Sequence, residues 1–390
     1  MRFILTVLFI VLFSASCGNN TNHTFQYTAG NHDLEGALVY TDLELEDTSG
    51  ELCLETGGEL IPAQAEPLSS DGVRVWWQAT LPAGETIEYT IHKEQNCSDT
   101  EFSWQRTGEQ SVQLQHDGQP LIQYEHPVFD TENIEETKKP FHHVFDPVSG
   151  DLITKGLGGL YPHHRGIFFG YNQLRIDEKQ LDIWHANEGE RSEHEEFEEE
   201  ISGPVFGGHI VQIHWKDHDG NVMLNETRDI RAFRYNDHSF FIDFHTKLTS
   251  VAGPAELAGD LQHAGVQFRA AQYVADHSEE TQFIRPGEWS HYPSNEELGE
   301  EEWENVPWNA MQYSIDENSY TVAYMSHTSN PGPSEMSERK YGRFGEFIPY
   351  SLDEDESLEL RYRFWIVSGD TISAEEIEQQ FQIYSDQTVE

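Results

Sequence analysis

Short stretches in which apolar and polar side chains alternate, each closed by a turn residue, recur along this chain and leave room for little except β-sheet. VRVWWQATL (Val73 to Leu81), VQIHWKD (Val211 to Asp217), FFIDFHTKLT (Phe240 to Thr249), TVAYMSH (Thr321 to His327) and LELRYRFWIV (Leu358 to Val367) put successive side chains on opposite faces. That two-residue period is the one a half-buried antiparallel strand needs. VQIHWKD and NVMLNETRDIRAF (Asn221 to Phe233) flank Asp219-Gly220, a hairpin signal. Helical spacing is confined to SAEEIEQQFQIYSDQ (Ser373 to Gln387), with Ser373 as N-cap and Ile377, Phe381 and Tyr384 on one stripe. The fold class this pattern predicts is all-β with one short C-terminal helix.

Chemistry concentrates between Pro140 and Glu188. The stretch holds His142, His143, His163, His164 and His185 together with Arg165, Arg175 and a Trp184-His185 pair, separated by glycines and prolines that put them on turns or strand ends. Imidazole titrates near neutrality and ligates borderline metals, and chain bends on a rigid scaffold are where catalytic side chains usually sit. Adjacent histidines on one strand would point to opposite faces, so only one of His163 and His164 is expected to enter a shared site if they lie on a strand.

The runs PHHRGIFFG (Pro162 to Gly170), DIWH (Asp182 to His185), HAGVQFRA (His263 to Ala270), SHTSNP (Ser326 to Pro331), KYGRFGEF (Lys340 to Phe347) and LRYRFWIVSGD (Leu360 to Asp370) occur in one order. Together they resemble the family called "methane oxygenase PmoA-like", over about residues 123–370. The resemblance implies a β-rich domain of bacterial secreted proteins, often associated with sugar degradation, with no settled activity.

Domain order follows from the punctuation. Met1 to Ser16 reads as a lipoprotein signal peptide, with Arg2 as the basic start, Phe3 to Phe13 as a short apolar run and Ser-Ala-Ser before Cys17, the expected lipidation site. An ordinary signal peptide cleaved nearby is the alternative. Residues 17–24 form a polar tether, residues 25–111 an accessory domain with the strand grammar of an immunoglobulin-like sandwich, and residues 112–390 a large antiparallel β-sandwich or supersandwich. Cys53 and Cys97 remain as an even pair for one disulfide, suited to an oxidising space and stabilising by about 3 to 4 kcal/mol. The expected location is the cell envelope, with the chain lipid-anchored and facing the periplasm or exterior.

Charge excludes some partners. With 70 acidic against 23 basic residues the formal net charge is -47. Nucleic acid and anionic lipid surfaces would repel such a molecule, whereas a solvated surface suited to a salty habitat accounts for it. No G-x-S-x-G elbow, dinucleotide-binding glycine fingerprint or spaced calcium loop is present.

Inward-facing residues from several strands are expected to assemble the site. His163, His164, Arg165, His185, His263, Arg269, His327 and Tyr341 are the catalytic candidates, and Trp184, Gln267, Trp308, Asn330 and Arg343 the substrate-binding ones. Three neutral imidazoles, or two with a carboxylate such as Asp243 or Glu226, would hold a divalent metal with an open position. Arginines would take a carboxylate, sulfate or keto oxygen by forked hydrogen bonds, and Trp184 and Trp308 would stack on sugar rings. Glycosidase carboxylates could come from Asp182, Glu188, Asp243 and Asp260. Three readings stay open: a carbohydrate-active hydrolase, lyase or epimerase using a concave sheet face; a glycan-binding lipoprotein without chemistry; and a β-scaffold in which Arg165 and Arg269 end in salt bridges to surface acids.

Overall fold

The computed structural model describes residues 23–45, 50–68, 72–93, 97–260, 262–291, 303–369 and 371–387. The signal peptide, Cys17 and the tether up to residue 22 lie outside them. Strand dominates throughout, and the chain divides into two compact units. One comprises Met1–Thr100 with Gly203–Val205, and the other Glu101–Ser202 with Phe206–Glu390. The division falls ahead of the sequence-based boundary at residue 111, because the strand Phe102–Gly108 pairs with Ser111–His116 in the second unit.

Among the described residues of the first unit, six antiparallel strands join in one sheet, in the order Thr24–Thr28, Thr86–His92, Gly50–Thr56, Glu59–Pro67, Val73–Leu81, Leu34–Leu43. The alternation read in VRVWWQATL is realised: Val73, Val75, Trp77, Ala79 and Leu81 are buried, and Trp77 packs on Phe25, Tyr27 and Tyr89. Cys53 and Cys97 form a disulfide across a sequence separation of 44. Closing a loop of that length is worth about 4 kcal/mol on the chain-entropy account.

Among the described residues, the second unit is built from two eight-stranded antiparallel sheets and a small four-stranded one. One large sheet runs Glu335–Arg339, Arg343–Phe347, Ala264–Arg269, Ile167–Tyr171, Phe141–Val144, Gln119–Glu125, Ser111–His116, Phe102–Gly108. The other runs Arg191–Ile201, Gly207–Lys216, Val222–Asn236, Ser239–Ser250, Ser357–Ser368, Asn318–Ser326, Trp308–Ile315, Gln282–Ile284. One hydrophobic core joins them: Ile167, Phe169, Val266, Phe268 and Phe344 from the first meet Ile213, Trp215, Ile242, Phe244 and Phe364 from the second. The predicted hairpin at Asp219-Gly220 connects Gly207–Lys216 to Val222–Asn236, with Gly220 at a positive φ of 86°. The helix Ala374–Ser385 starts at a capping box between Ser373 and Glu376 and buries Ile377, Phe381 and Tyr384, as its stripe predicts. Among the described residues no helix is long and apolar enough to cross a membrane.

Because side chains alternate, the core-facing set of the first sheet fixes what its other face carries. Phe168 sits opposite Gln267, Gln267 opposite Gly345, and Arg269 opposite Arg343, so these side chains share the face turned away from the core. The histidine-bearing turns are laid over that face.

Candidate active site

Three loops deliver the imidazoles, and two of them use one local device. In the turn from Asp182 to Ala186 the Asp182 carboxylate accepts from the His185 amide at 2.8 Å and from its ring Nδ1 at 2.7 Å. Asp260 accepts from the Gln262 amide at 2.9 Å and from His263 Nδ1 at 2.8 Å. Each D-x-x-H segment thus locks its own imidazole with Nδ1 as donor, which leaves Nε2 as a lone-pair donor to a ligand. Burial would raise the Asp260 carboxyl, but the hydrogen bonds from His263 and the Gln262 amide outweigh it and hold it at about 2. Gly170 lets the Asp182 turn lie against the sheet, since a Cβ there would meet Ile183 O and Trp184 Cα at 3.3 Å.

The third loop carries the histidine pair. His163 and His164 lie on a turn closed by the His164 amide donating to Tyr161 O at 2.9 Å, so the opposite-face rule for a strand does not apply. Their rings are 4.3 Å apart on one side of the chain. The chain then enters the sheet through Gly166 at φ +47°, where a Cβ would stand 1.9 Å from His142 O, an approach only glycine permits.

These loops bring His163, His185 and His263 together. One ring nitrogen of each lies within 4.8 Å of the others, and ring centroids are 4.6 Å apart for His163 and His185 and 4.8 Å for His185 and His263. Tetrahedral zinc at 2.0–2.1 Å from nitrogen sets ligand nitrogens about 3.4 Å apart, so small side-chain rotations close the set. Burial, then Lys139 and His185, pull the His163 imidazole down to about 2. It is therefore neutral at physiological pH, as a ligand must be. His185 and His263 keep 25% and 30% of their side-chain surface exposed, so solvent reaches the set.

Beneath the three rings lies a second layer. His164 is buried with both ring nitrogens lacking a hydrogen-bond partner among the described residues, and its ring stacks parallel to Tyr341 at 6.2 Å. The Arg269 guanidinium lies 5.1 Å from the Tyr341 ring and donates through Nη1 to Tyr341 O and, at 3.1 Å, to Ala270 O. Arg343 donates to Tyr341 Oη at 3.0 Å, Gln267 Oε1 at 2.8 Å and Ser337 Oγ at 2.8 Å. Lys139 donates to Trp184 O, and Lys155 to His164 O at 3.0 Å. Burial and the neighbouring Arg269 and Arg165 pull Lys155 down to about 7.

The expected site is thus assembled in part. His163, His164, His185, His263, Arg269 and Tyr341 come together, with Gln267 and Arg343 behind them. Trp184 is adjacent but fully buried, its ring 5.6 Å from His164, so it forms a floor and offers no face for a sugar to stack on. Arg165 is occupied: its nitrogens donate to Pro162 O at 3.1 Å, Glu136 O at 3.4 Å and Glu135 Oε1 at 3.1 Å, which ties the loop to the segment between the strands Gln119–Glu125 and Phe141–Val144. The remaining three belong elsewhere. His327 bonds Ser329 Oγ at 2.8 Å and packs on Tyr384 of the C-terminal helix, Asn330 bonds Ser326 and the Arg361 backbone, and the buried Trp308 indole donates to Glu378. Asp243 is paired with Arg363, and Glu226 with Arg228 and Trp215, so neither carboxylate joins the histidines. Lys139 and Lys155 escaped the sequence reading. For Lys139 the Lys138-Lys139 doublet just before Pro140 was a usable signal; for Asp182 and Asp260 it was the repeated D-x-x-H spacing.

Residues 111–382 match a family of unknown function, DUF6807. No curated protein matches. Among solved structures, the GH36 α-galactosidase AgaA from Geobacillus stearothermophilus aligns at 10% identity and a TM-score of 0.30, covering 90% of this chain and 41% of that one. A GalM/aldose epimerase homologue from C. elegans aligns at 9% identity and a TM-score of 0.26, covering 70% of this chain and 100% of that one. The chain therefore spans about two fifths of the length of the α-galactosidase.

Proposed function

The chain belongs to the DUF6807 family, and within it we propose that this protein is a metal-dependent, carbohydrate-active lyase or epimerase of the cell envelope. The observation that carries the reading is the convergence of His163, His185 and His263, two of them backed by carboxylates, above a layer in which His164 and Arg269 keep nitrogens without a partner among the described residues. Three imidazoles with a free coordination position suit zinc or another borderline divalent ion, which would polarise a substrate oxygen. His164, neutral and with both ring nitrogens lacking a partner among the described residues, would be the group to take the proton from the adjacent carbon. Hydrolysis by a carboxylate pair is disfavoured, because Asp182 and Asp260 are committed to His185 and His263. The density of hydrogen-bonding groups against few apolar ones favours a polyhydroxylated substrate.

The test has two parts. Protein purified without a His-tag is expected to carry close to one equivalent of divalent metal by elemental analysis. A screen against depolymerised plant and algal glycans is expected to yield unsaturated or epimerised products that chelation abolishes. Binding of glycans with no product formed would favour the non-catalytic alternative, and a metal-free protein unaffected by chelators would end the metal reading.

The envelope part rests on Met1 to Ser16, on Cys17, and on the Cys53–Cys97 disulfide, which suits an oxidising compartment. Expressed with its own leader in a bacterial host, the chain is expected to show acyl groups on an N-terminal Cys17 by mass spectrometry. An unmodified N-terminus at another position contradicts the anchor.

A further inference from the structure

The surface and the site of this protein have opposite electrostatics. The chain carries a formal net charge of -47, yet Lys138, Lys139, Lys155, Arg165, Arg269 and Arg343 are all buried around the His163-His164 turn. Among the described residues, the carboxylate that ion-pairs with any of the six is Glu135, which takes Lys138 at 2.6 Å and Arg165 at 3.1 Å. The others rest on neutral acceptors: Lys155 on three backbone carbonyls, Lys139 on one, Arg343 on a phenol, an amide and a hydroxyl. Burying a cation without counter-charge is costly, and the lysines lessen that cost because burial drives their ammonium groups toward the neutral form, Lys155 to about 7 and Lys139 well below its ordinary range. A guanidinium has no such escape, so the charge that an anion could meet is that of the arginines.

Arg269 shows where. Its Nη1 is engaged by two carbonyls, while Nε and Nη2 are buried without a partner among the described residues. Those two nitrogens form one edge of the guanidinium fork, the edge that grips two oxygens of a carboxylate or sulfate side by side. Tyr341 lies against the guanidinium and His164 against Tyr341, so Arg269 belongs to the same layer as the proposed proton acceptor. Burial pulls Arg269 down to about 10, a sign of how dry its surroundings are, and it remains charged at neutrality.

We propose that the substrate is an acidic sugar whose carboxylate or sulfate docks on the Nε and Nη2 edge of Arg269. This deepens the reading above and rests on it for the word sugar. A uronate also fits the chemistry, because the carbon next to a carboxylate is the one whose proton a lyase or epimerase removes.

The experiment is a calorimetric titration of the full mature chain with D-glucuronate and D-galacturonate, the corresponding 6-sulfated hexoses, and neutral D-glucose and D-galactose. At least one acidic probe is expected to bind tenfold or more tighter than its neutral counterpart, and the better class tells carboxylate from sulfate. Arg269→Gln is expected to bring the acidic probe to within threefold of the neutral one in protein that still unfolds cooperatively. Neutral sugars binding as tightly as both acidic classes, binding by none of the probes, or an acidic preference that survives in Arg269→Gln each overturns the proposal. Should the variant fail to fold, the wild-type comparison decides alone. Repeating the titration on metal-stripped protein separates the two readings: acidic preference without any resident metal keeps the subsite and removes the metal, whereas bound metal without acidic preference does the reverse.

Discussion

Replacing His263 with alanine is expected to reduce bound metal from about one equivalent to below detection and to abolish turnover, while leaving the fold intact. Three imidazoles are few enough that losing one leaves two nitrogens, too few to hold a borderline ion against water. The fold should tolerate the change because His263 is half-exposed on a turn, outside the hydrophobic core. Asp260→Asn is the more discriminating variant. It keeps the size of the side chain and an oxygen within reach of His263 Nδ1, but removes the negative charge that raises imidazole basicity. A carboxylate behind a ligating histidine is worth about 10- to 100-fold in metal affinity. Competition with a calibrated chelator should therefore show a weakening in that range for Asp260→Asn, and a similar one for Asp182→Asn. Undiminished metal in His263→Ala would mean that the three rings are not the ligands. A loss in Asp260→Asn as complete as in His263→Ala would mean that Asp260 acts on the turn and not on the imidazole.

How far the sequence could be read follows from the range over which each signal acts. Alternation is local, since a strand's period is set by its own backbone, and so the sheets, the Asp219-Gly220 hairpin and the capped C-terminal helix were legible. The histidine turns were legible as a cluster because glycine and proline mark bends. Which residues share a face depends on pairing between distant strands, and there the outcome is mixed. Arg269 and Arg343 meet because Ala264–Arg269 and Arg343–Phe347 are neighbours in one sheet with those two residues in register. His327, by contrast, follows Asn318–Ser326, a strand of the other sheet, and its ring goes to the C-terminal helix. Nothing in SHTSNP distinguishes these outcomes. Lys139 and Lys155 were missed for a related reason: a lysine is ordinarily a solvated charge, and only the folded structure reveals that these two are buried.

Acid is expected to weaken the fold steeply below pH 6.5, well before the carboxylates titrate. His142, His143 and His209 are buried away from the proposed metal ligands. Their ring contacts are made within the fold: His142 Nε2 lies 3.0 Å from His209 Nε2, so one of the two must be an acceptor, and His143 Nδ1 lies 3.2 Å from Thr154 Oγ1. Burial pushes His143 down to about 4. It pushes His142 and His209 well below the usual range, with Arg228 lowering both further and His209 adding to the shift of His142. His126 and His194, packed nearby, are shifted in the same direction. For each buried ring the unfolded chain takes up a proton near pH 6.5 and the folded chain does not. Stability is thus fully present above pH 6.5 and lost as pH falls toward 4 for His143, and further for the other two. Each contributes about 1.4 kcal/mol per pH unit in that window, so the three together remove about 4 kcal/mol between pH 7.5 and 5.5, a large part of a typical 5–15 kcal/mol. Relief of repulsion among the 70 acidic residues works the other way, but carboxylates take up protons near pH 4 and exposed charges are screened over about 8 Å at 0.15 M salt, so it does not compete in this interval. Denaturant unfolding at the two pH values, in chelator to exclude metal loss, measures the difference directly. His143→Gln should reduce it by the share of one such ring, about 1.4 kcal/mol, and equal stability at pH 7.5 and 5.5 would show that these rings are protonated in the native protein.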